Sequence, residues 1–320
     1  MAEFAASPHR SSAPILVTGI PRSGTTWVGR MLHASGETAY VAEPLNIWRS
    51  PRPLRSQTRG WPGYPYVTAE SEDMYLAVLA DIVGLRMNVL RELRAARSRE
   101  DLSGVVSTWA AFLIGRARRR RPLVKEPHAL FLAPWLVERL GGHAVITVRH
   151  PAAVVSSWKR IGWPVDFGQL LNQPLLVRDW LGSYKTDMTA LQSSDDLIAQ
   201  VSLLWTMMYD YVARARGASD ALHVVRHEDL SLSPVATFRE LYAALGLGFT
   251  SRVEKVVRRT SSPRNPKELA IDEPYAVRLD SRANLENWKQ RLTPDEVRRI
   301  RDITAHVARH YYSEESWGQS

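Results

Sequence analysis

The stretch "ILVTGIPRSGTTWVGRML", residues 15–32, joins a run of apolar and β-branched residues to a glycine-containing turn and the start of a helical pattern. Gly19 and Gly24 stand five positions apart, as the glycines do in the phosphate-binding loop G-x-x-x-x-G-K-[ST]. Thr25 stands where that motif has its lysine, and Arg22 lies inside the loop. Such a turn, followed by a helix N-terminus, forms a cradle for an anion. The groups available to this cradle are the amides and hydroxyls of Ser23, Gly24, Thr25 and Thr26.

The missing lysine decides which kind of phosphate-containing ligand the loop favours. In nucleoside triphosphatases that lysine reaches the β- and γ-phosphates, while a serine or threonine holds Mg²⁺. A sulfuryl group carries less charge than a γ-phosphoryl group, so one cation, Arg22, and no metal would suffice for it. The loop therefore speaks against ordinary triphosphate chemistry.

Composition is typical of a globular protein. Of the 320 residues, 45% are hydrophobic and 23% are charged, which suits one large α/β domain or two small ones. The absence of cysteine excludes disulfides and thiol nucleophiles. Residues 1–14 contain no apolar run like that of a signal peptide, and residues 197–213 are too polar for a membrane span. We expect a disordered tail at 1–14 and a cytoplasmic protein.

The charge of the chain indicates the kind of ligand it binds. A formal net charge of +9 favours an anionic ligand, a nucleic acid or an acidic membrane surface. Much of it lies in the run Arg116–Arg121, which we interpret as a solvated helix end before a strand. Since no nucleic-acid reading module accompanies this run, we expect no nucleic-acid partner.

Apolar, β-rich runs alternate with helical patterns along the chain. The clearest runs are Ile15–Thr18, Leu123–Val124, Ala144–Val148 and His223–Val225. This alternation predicts a parallel sheet flanked by helices on both faces. We find no convincing linker and predict a single α/β domain at 15–312, followed by a C-terminal tail at 313–320.

Helices are predicted between and after these strands. Apolar residues recur at helical spacing in two groups, at 74–83 and at 85–93. Start signals at Pro234 and Thr293 predict helices reaching Leu245 and about Tyr311. Three tryptophans in helical patterns are expected in the core: Trp109, Trp180 and Trp205.

Residues 44–72 form a long irregular stretch, rich in proline, glycine, arginine and aromatic residues. A loop of this length inside a compact domain is more often functional than filler, so we predict a lid-like loop. Aromatic side chains in and near it that could stack on a sugar or a phenol are Trp48, Trp61, Tyr64, Tyr66, Trp158 and Trp163.

A second anion site is predicted in "VITVRHPAAVVSSWKR", residues 145–160. Arg149 follows a strand, Pro151 can take the first position of a helix, and Ser157 lies about two turns along it. A forked cation and a hydroxyl together suit a phosphate. Because ligands of parallel sheets bind at the carboxyl ends of the strands, this site and the first loop predict a nucleotide with phosphates on its 5′ and 3′ sides.

Three segments together resemble the sulfotransferases that use 3′-phosphoadenosine-5′-phosphosulfate (PAPS). They are PRSGTTW (21–27), VRH (148–150) with a serine eight residues after its arginine, and VVRHEDLSLSPVATFRELYAALGL (224–247), of which HEDL is interpreted as structural. The resemblance extends over about Ile15 to Ile303. Arg22 stands where many soluble members have lysine, as it does in carbohydrate-type and many bacterial members. The fold it implies is P-loop-like.

The resemblance also implies how the nucleotide is bound. The first loop would hold the 5′-phosphosulfate, and Arg149 and Ser157 would hold the 3′-phosphate. PAPS is then the co-substrate, PAP the product, and no metal is needed. First-loop residues implied in binding are Arg22, Ser23, Gly24, Thr25, Thr26 and Trp27. The C-terminal loop that covers the 3′-phosphate in the family is not plain, and its candidates here are Arg258, Arg259 and Arg264.

Sulfuryl transfer to a hydroxyl needs a base and a means to neutralise the leaving charge. The resemblance implies Glu43, in the EPL segment after the first helix, as the base. Small-molecule relatives instead use the histidine of a Lys-x-His segment. Here His128 lies one residue further from Lys125, so it is the alternative base. Lys125 and Arg22 would stabilise charge on the phosphate and the sulfuryl oxygens.

The sequence thus predicts a sulfotransferase that moves a sulfuryl group from PAPS to a hydroxyl of a carbohydrate, glycolipid or small metabolite, with a homodimer left open. One alternative is a P-loop kinase or NTPase with an altered loop, against which the missing lysine counts. Another is a non-catalytic anion-binding protein that uses Arg116–Arg121, against which Glu43, Lys125 and Arg22 count.

Overall fold

A five-stranded parallel sheet forms the centre of the protein. The computed structural model describes residues 13–49, 51–217, 219–271, 273 and 275–318, so the predicted tail at 1–14 falls outside it except for its last two residues. The strand order is β2-β3-β1-β4-β5, and every neighbouring pair is parallel. The strands are β1 (Ile15–Thr18), β2 (Thr38–Ala42), β3 (Arg121–Lys125), β4 (His143–Val148) and β5 (Leu222–Arg226).

Helices connect the strands and continue after the last of them. They are α1 (Thr25–His33), α2 (Leu76–Val83), α3 (Val89–Ala95), α4 (Arg99–Ala117), α5 (Ala133–Leu140), α6 (Pro151–Ile161), α7 (Gly168–Leu171), α8 (Pro174–Leu176), α9 (Lys185–Gln192), α10 (Leu197–Ala215), α11 (His227–Leu232), α12 (Pro234–Ala244), α13 (Ser251–Thr260), α14 (Asn287–Arg291) and α15 (Pro294–Ala308). Within the described residues, no helix is long and apolar enough to cross a bilayer.

Two hydrophobic cores lie on opposite faces of the sheet. Successive side chains of a strand point to opposite faces, and accordingly Ile15 and Val17 enter one core while Leu16 enters the other. The first core is covered by α1, α12 and α13, and the second by a group that includes α6, α10 and α15. The predicted α/β fold, with helices on both faces of a parallel sheet, is confirmed.

The strand order places a crevice at the carboxyl ends of β1 and β4. The chain leaving β1 runs through α1 to the β2 edge, whereas the chain leaving β4 runs through α6 towards the β5 edge. In parallel sheets, a ligand site forms where two such connections diverge. The loops after β1 and β4 carry Arg22 and Arg149, so the fold brings the two predicted anion sites to one crevice.

The predictions from helical spacing agree with the structure in part. The two apolar groups at 74–83 and 85–93 fall mostly on α2 and α3, which are separated where Gly84 ends the first helix and Leu85 follows with φ 52°. Trp109 is 42% exposed, since α4 turns Val105 and Phe112 towards the sheet instead. Trp205 is buried as predicted, and Trp180 packs against the core while staying partly exposed.

The arginine run is only partly a solvated helix end. Arg116 is on the last turn of α4 and exposed, but Arg121 is the buried first residue of β3. Its guanidinium donates hydrogen bonds to the carbonyls of Ala13 and Leu245. Arg121 therefore ties the start of the sheet to the chain after α12.

Both segments that were predicted to be irregular, the loop 44–72 and the tail after residue 312, contribute buried side chains. Loop 44–72 buries Leu54, Tyr64 and Val67 in the larger core, so a substantial part of it belongs to the folded body. Beyond residue 312, Trp317 is buried with its ring 4.5 Å from that of His150. Packing therefore continues past the expected start of the C-terminal tail, and a lid function of the loop stays a prediction.

Candidate anion pocket and active site

The turn between β1 and α1 needs its two glycines. Gly24 has φ 103°, and a Cβ there would lie 2.6 Å from Nδ1 of His227. Gly19 has φ 144°, and a Cβ there would collide with the carbonyl of Thr147 on β4. Both conformations are rare for residues with a side chain. A side chain at either position would therefore force the turn away from the residues that it contacts.

The first turn of α1 offers backbone donors to an anion. No side chain caps α1, and the first N–H groups of a helix have no partner within the helix. The helix dipole adds a partial positive charge at the same end. Arg22 precedes this end with φ 76°, a strained backbone conformation of the kind that collects at binding sites.

The two predicted anion sites meet in one pocket. Nε of Arg22 donates a hydrogen bond to Oγ of Ser157 at 3.0 Å, and Nη1 of Arg149 donates to the carbonyl of Arg22 at 3.1 Å. Pro151 starts α6 as predicted, which places Ser157 two turns along it. Seven of the eight residues predicted to bind the nucleotide line this pocket: Arg22, Gly24, Thr25, Thr26, Trp27, Arg149 and Ser157.

The eighth residue, Ser23, is turned away from the pocket. Its side chain is fully buried, and its Oγ lies 2.7 Å from Oγ1 of Thr147. Its N–H donates to the carbonyl of Ile20 at 3.1 Å. Both groups that Ser23 was predicted to offer to the anion are therefore used within the turn in this structure.

Two further arginines, which were not predicted from the sequence, also line the pocket. Arg160 lies one turn after Ser157 on α6, and Arg291 ends α14. Both guanidinium groups form ion pairs with Oε1 of Glu268, the first at 2.6 Å. Arg291 also donates to Oγ of Ser156 at 3.3 Å. The helical spacing from Ser157 could have found Arg160, whereas no motif marks Arg291.

The three arginine candidates for the C-terminal loop do not line the pocket. Arg258 points outward on α13, where it pairs with Glu254. Arg259 and Arg264 are exposed and do not line the pocket. The chain that does cover the pocket lies further on and includes Glu268.

The pocket has a strong excess of positive charge. Its described lining contains four arginines, with Glu268 as the one carboxylate. Burial, and then the neighbouring positive charge of Arg160, lowers the pKa of Arg22. Burial lowers the pKa of Arg149 to about 10, which still leaves it charged at neutral pH. An anion with several charges would offset the cost of holding these cations together.

His227 is a neutral polar group in the same pocket. It is buried beside Gly24, and neither ring nitrogen has a hydrogen-bond partner in the part of the chain that the structure describes. Burial, together with the charge of Arg149, holds its pKa well below the usual value. The HEDL segment is predicted to be structural. Glu228 of this segment makes contacts of that kind, since it accepts hydrogen bonds from the N–H of His150 and the hydroxyl of Tyr312. His227 instead faces the pocket.

Glu43 and Lys125 form a buried ion pair at the carboxyl ends of β2 and β3. The N–H of Glu43 donates to the carbonyl of Lys125 at 2.7 Å, and the side chains pair directly. The second oxygen of Glu43 accepts from Nδ2 of Asn46 at 2.8 Å and from the hydroxyl of Tyr275 at 3.3 Å. Burial raises the pKa of Glu43, but the charge and hydrogen bonds of Lys125 and Asn46 outweigh it and lower the pKa overall. Burial also lowers the pKa of Lys125.

His128, like Glu43 and Lys125, is not among the residues that line the anion pocket. Its Nδ1 is 3.1 Å from Oε1 of Glu126, and its ring lies against Trp48 and Tyr64, with centroid distances of 4.9 and 5.0 Å. These contacts occupy the histidine within the packing of the 44–72 loop. Trp158 is likewise unsuited to stacking on a ligand, because it is buried and its Nε1 donates to the carbonyl of Pro21.

Comparison with known proteins assigns the family. A model described as "Sulfotransferase family" matches residues 14–251, well over half of the chain. The chain belongs to the sulfotransferase family. It is therefore a transferase. No group of three or more histidine or acidic side chains suited to a metal occurs among the described residues of this sulfotransferase.

Individual relatives of the sulfotransferase are distant. Carbohydrate sulfotransferase 1 of Danio rerio is 28% identical over 193 residues, which is 59% of this chain and 41% of that protein, so the match spans less than half of the relative's length. The sulfotransferase domain from the curacin biosynthetic pathway is 14% identical, with 92% of this chain and 97% of that chain covered and a TM-score of 0.49. Mouse sulfotransferase SULT7A1 complexed with PAP is 12% identical, with 96% and 87% covered and a TM-score of 0.45.

Three of the site residues that the sequence did not reveal lie beyond the family match. It ends at residue 251, whereas Glu268, Tyr275 and Arg291 come later in the sulfotransferase chain. Tyr275 lies at the catalytic candidates, with Nζ of Lys125 5.3 Å from its ring centroid. No periodicity or motif marks these positions, so only the folded chain brings them to the site.

Proposed function

We propose that the protein transfers a sulfuryl group from PAPS to a hydroxyl group of an acceptor. The observation that carries this proposal is the pocket in which Arg22, Arg149, Arg160 and Arg291 converge on the first turn of α1. PAPS has a phosphosulfate on its 5′ side and a phosphate on its 3′ side, and so presents two anionic groups. A pocket with one glycine turn and four arginines suits such a ligand, without the lysine that a nucleoside triphosphate requires.

In this proposal the two halves of the pocket bind the two ends of the nucleotide. The N–H groups at the start of α1, with Thr25 and Thr26, and the guanidinium of Arg22 hold the 5′-phosphosulfate. Arg149 and Ser157 hold the 3′-phosphate. Trp27 lines the wall between α1 and α13, where its Nε1 donates to Oγ1 of Thr260 at 3.2 Å.

Transfer then requires Glu43 to take the acceptor proton. As the acceptor oxygen forms a bond to sulfur, the bond from sulfur to the bridging phosphate oxygen breaks, and PAP leaves with that electron pair. Lys125 and Arg22 stabilise the charge that develops on the phosphate and sulfuryl oxygens. The hydroxyl of Tyr275, 3.3 Å from Oε2 of Glu43, shows that a hydroxyl group can reach this carboxylate. We propose that the acceptor hydroxyl takes its place.

We further propose that the acceptor is a carbohydrate, a glycolipid or a small hydroxylated metabolite, and that the enzyme works in the cytoplasm. The relative that is a carbohydrate sulfotransferase supports a sugar acceptor. Trp48 in the loop 44–72 also supports a sugar acceptor, because its side chain is 48% exposed. Screening labelled PAPS against sugars, glycolipids, phenols and hydroxylated metabolites identifies the acceptor.

PAP should stabilise the protein against heat, whereas ATP with Mg²⁺ should do so weakly or not at all. A ligand at 100 times its Kd adds about 2.7 kcal/mol to the stability of the native state. PAP matches both phosphate positions, while ATP meets a loop that has Thr25 in place of lysine. Thermal unfolding with each ligand measures the difference. A Mg²⁺-dependent shift with ATP that exceeds the shift with PAP would instead establish a kinase or NTPase.

Replacing Glu268 with glutamine should tighten PAP binding. Glu268 is the one carboxylate in the described lining of the pocket and pairs with Arg160 and Arg291, so removing its charge leaves two cations available to the nucleotide. Because each partly exposed pair is worth up to about 1 kcal/mol, the gain should be about 3- to 30-fold in Kd. Titration calorimetry measures it, with Glu273→Gln on the same stretch of chain as a matched loss of charge outside the pocket. An unchanged or weaker Kd in Glu268→Gln would show that the carboxylate supports the pocket.

A further inference from the structure

The outer surface of α3 and α4 is unusually apolar. Six of the twelve exposed large hydrophobic side chains among the described residues lie on these two helices. Their exposed fractions run from 36% to 67%, and Trp109 at 42% is the largest side chain of the group. We refer to this surface as the α3–α4 face, and its apolar members are Leu90, Leu102, Val106, Trp109, Leu113 and Ile114. Clustering of this kind on one face marks an interaction surface rather than scattered exposed residues.

The segment that contains this face carries much of the net positive charge of the protein. Residues 86–120 contain nine arginines and three acidic residues, a net charge of +6 out of +9 for the whole chain. Two of the three acids, Glu92 and Asp101, are buried and accept hydrogen bonds from the loop 44–72. The outer surface is therefore more basic than the composition suggests, with only Glu100 exposed among the acids of this segment.

The arginines of this face are available to an external partner. Arg91, Arg94, Arg116 and Arg118 are exposed, and within the described ranges none of them is in an ion pair. Charged side chains that have no partner inside the protein lose little when they contact an anion outside it. The active site uses none of them, so the proposed reaction leaves this charge unexplained.

We propose that the α3–α4 face binds an anionic lipid surface. Helices that lie in a membrane interface combine arginine or lysine with tryptophan and leucine, as this face does. Anionic headgroups attract the arginines, and the apolar side chains enter the boundary between headgroups and acyl chains. Leucine, valine and isoleucine have no comparable role on a nucleic-acid backbone. A second copy of the chain would bring two strongly basic surfaces together, so charge complementarity favours the lipid.

The geometry suits binding parallel to a surface. α4 has 19 residues and is therefore about 28 Å long, with its apolar side chains spread along its length. At its start, Asp101 accepts from the N–H of Arg52 and pairs with Arg55, both in the loop 44–72. A lipid surface on the face would therefore lie beside the loop that we expect at the acceptor site.

Vesicle sedimentation tests this proposal. The full-length protein should bind vesicles that contain about 30% phosphatidylglycerol in phosphatidylcholine, and should not bind phosphatidylcholine alone. Binding should weaken as salt is raised from about 0.1 M to about 0.5 M, because screening shortens the range of the attraction. Equal binding to both vesicles, or binding to neither, would overturn the proposal.

Matched variants locate the surface. Replacing Arg94, Arg116 and Arg118 with glutamine should weaken binding about 100-fold, since each arginine contributes about 5-fold. The control removes the same charge elsewhere, by glutamine at Arg252, Arg298 and Arg309, all exposed on α13, α15 or just after it. This control should keep most of the binding. Equal losses in both variants would show that net charge alone acts and would overturn the proposal.

The apolar side chains distinguish a lipid from other partners. Trp109→Ser with Leu113→Ser should also weaken vesicle binding, while thermal stability stays near that of the original protein because both side chains are exposed. If this double variant binds vesicles as well as before, and a short nucleic-acid duplex displaces the protein from them, the face binds polyanions and the proposal fails. If the free protein is a dimer that this variant dissociates, the face is a subunit interface and the proposal fails as well.

Discussion

Replacing Glu43 with glutamine should lower kcat by about 10²- to 10⁴-fold, with PAP bound nearly as tightly as before. Glutamine keeps the shape of the side chain and can still meet Asn46 and Tyr275, but it cannot take a proton. A positioned base contributes a factor of this size to proton transfer. Steady-state kinetics with the identified acceptor, together with calorimetry of PAP, measures both quantities.

The partner of Glu43 makes a stability control necessary. Removing one member of a buried ion pair typically costs 3–5 kcal/mol, because a charge is left without compensation. Lys125 can reduce that cost by losing its proton, as burial already lowers its pKa. The kcat of Glu43→Gln must therefore be expressed per folded molecule, counted by PAP binding. A loss of kcat that disappears after this correction would leave Glu43 with a structural role.

The pH dependence gives an independent check with a defined sign. The pKa of Glu43 is lowered in the folded protein, so the carboxylate is charged above its ordinary value of about 4.3. The activity and stability that depend on this charge are therefore present above that value, and are lost as the pH falls through the lowered pKa. On the acid side, kcat should therefore not yet fall near pH 6.

Replacing His128 with alanine should lower stability through lost packing but should have little effect on turnover. If His128→Ala abolishes turnover while Glu43→Gln stays active, the two roles are reversed.

Replacing Arg149 with alanine should weaken PAP by about 10- to 150-fold, and should weaken a nucleotide without the 3′-phosphate much less. Hydrogen bonds to charged groups are worth roughly 1.5–3 kcal/mol, which corresponds to this range. Arg149 is half-buried and charged, and its buried Nε has no hydrogen-bond partner in the described structure. A donor buried without a partner is expensive, so a phosphate that accepts from it is favoured. Ser157→Ala should act in the same direction with a smaller effect.

Titration calorimetry with PAP and with adenosine 5′-phosphate separates binding from folding. Lys159→Ala is the matched control, because it removes one positive charge from α6, next to Ser157 in sequence but on a side chain that points outward to Glu296. It should leave both affinities unchanged. Equal losses for both nucleotides in Arg149→Ala would mean that the arginine acts by holding the Arg22 carbonyl, at 3.1 Å, rather than by binding the 3′-phosphate.

The sheet and the meeting of its loops could be predicted because strands leave a strong local signal. Apolar runs such as Ala144–Val148 mark buried parallel strands, and the carboxyl ends of such strands lie at one edge. Arg22 and Arg149 both follow strands, so their meeting follows from the topology. Their contacts agree with that expectation to within hydrogen-bond distance.

What could not be predicted depends on contacts between distant segments. Helical spacing identifies a helix, but it does not say which of its faces another element covers, so Trp109 was expected in the core and is exposed. The chain after α13 has no regular pattern, and its contribution of Glu268 and Tyr275 to the site leaves no trace in the sequence. The contact of Ser23 with Thr147 could not be predicted for a related reason, since Thr147 comes from another strand.

The stretch of chain between α13 and α14 contacts both substrate positions at once. Glu268 pairs with Arg160 and Arg291, and Tyr275 donates to Glu43, so both residues occupy groups to which the proposed function gives a part in the reaction. Because only six residues separate them in sequence, we expect the displacement of one to affect the other. In kinetic terms, the proposed reaction should then be sequential and ordered, with the nucleotide binding first and the acceptor second.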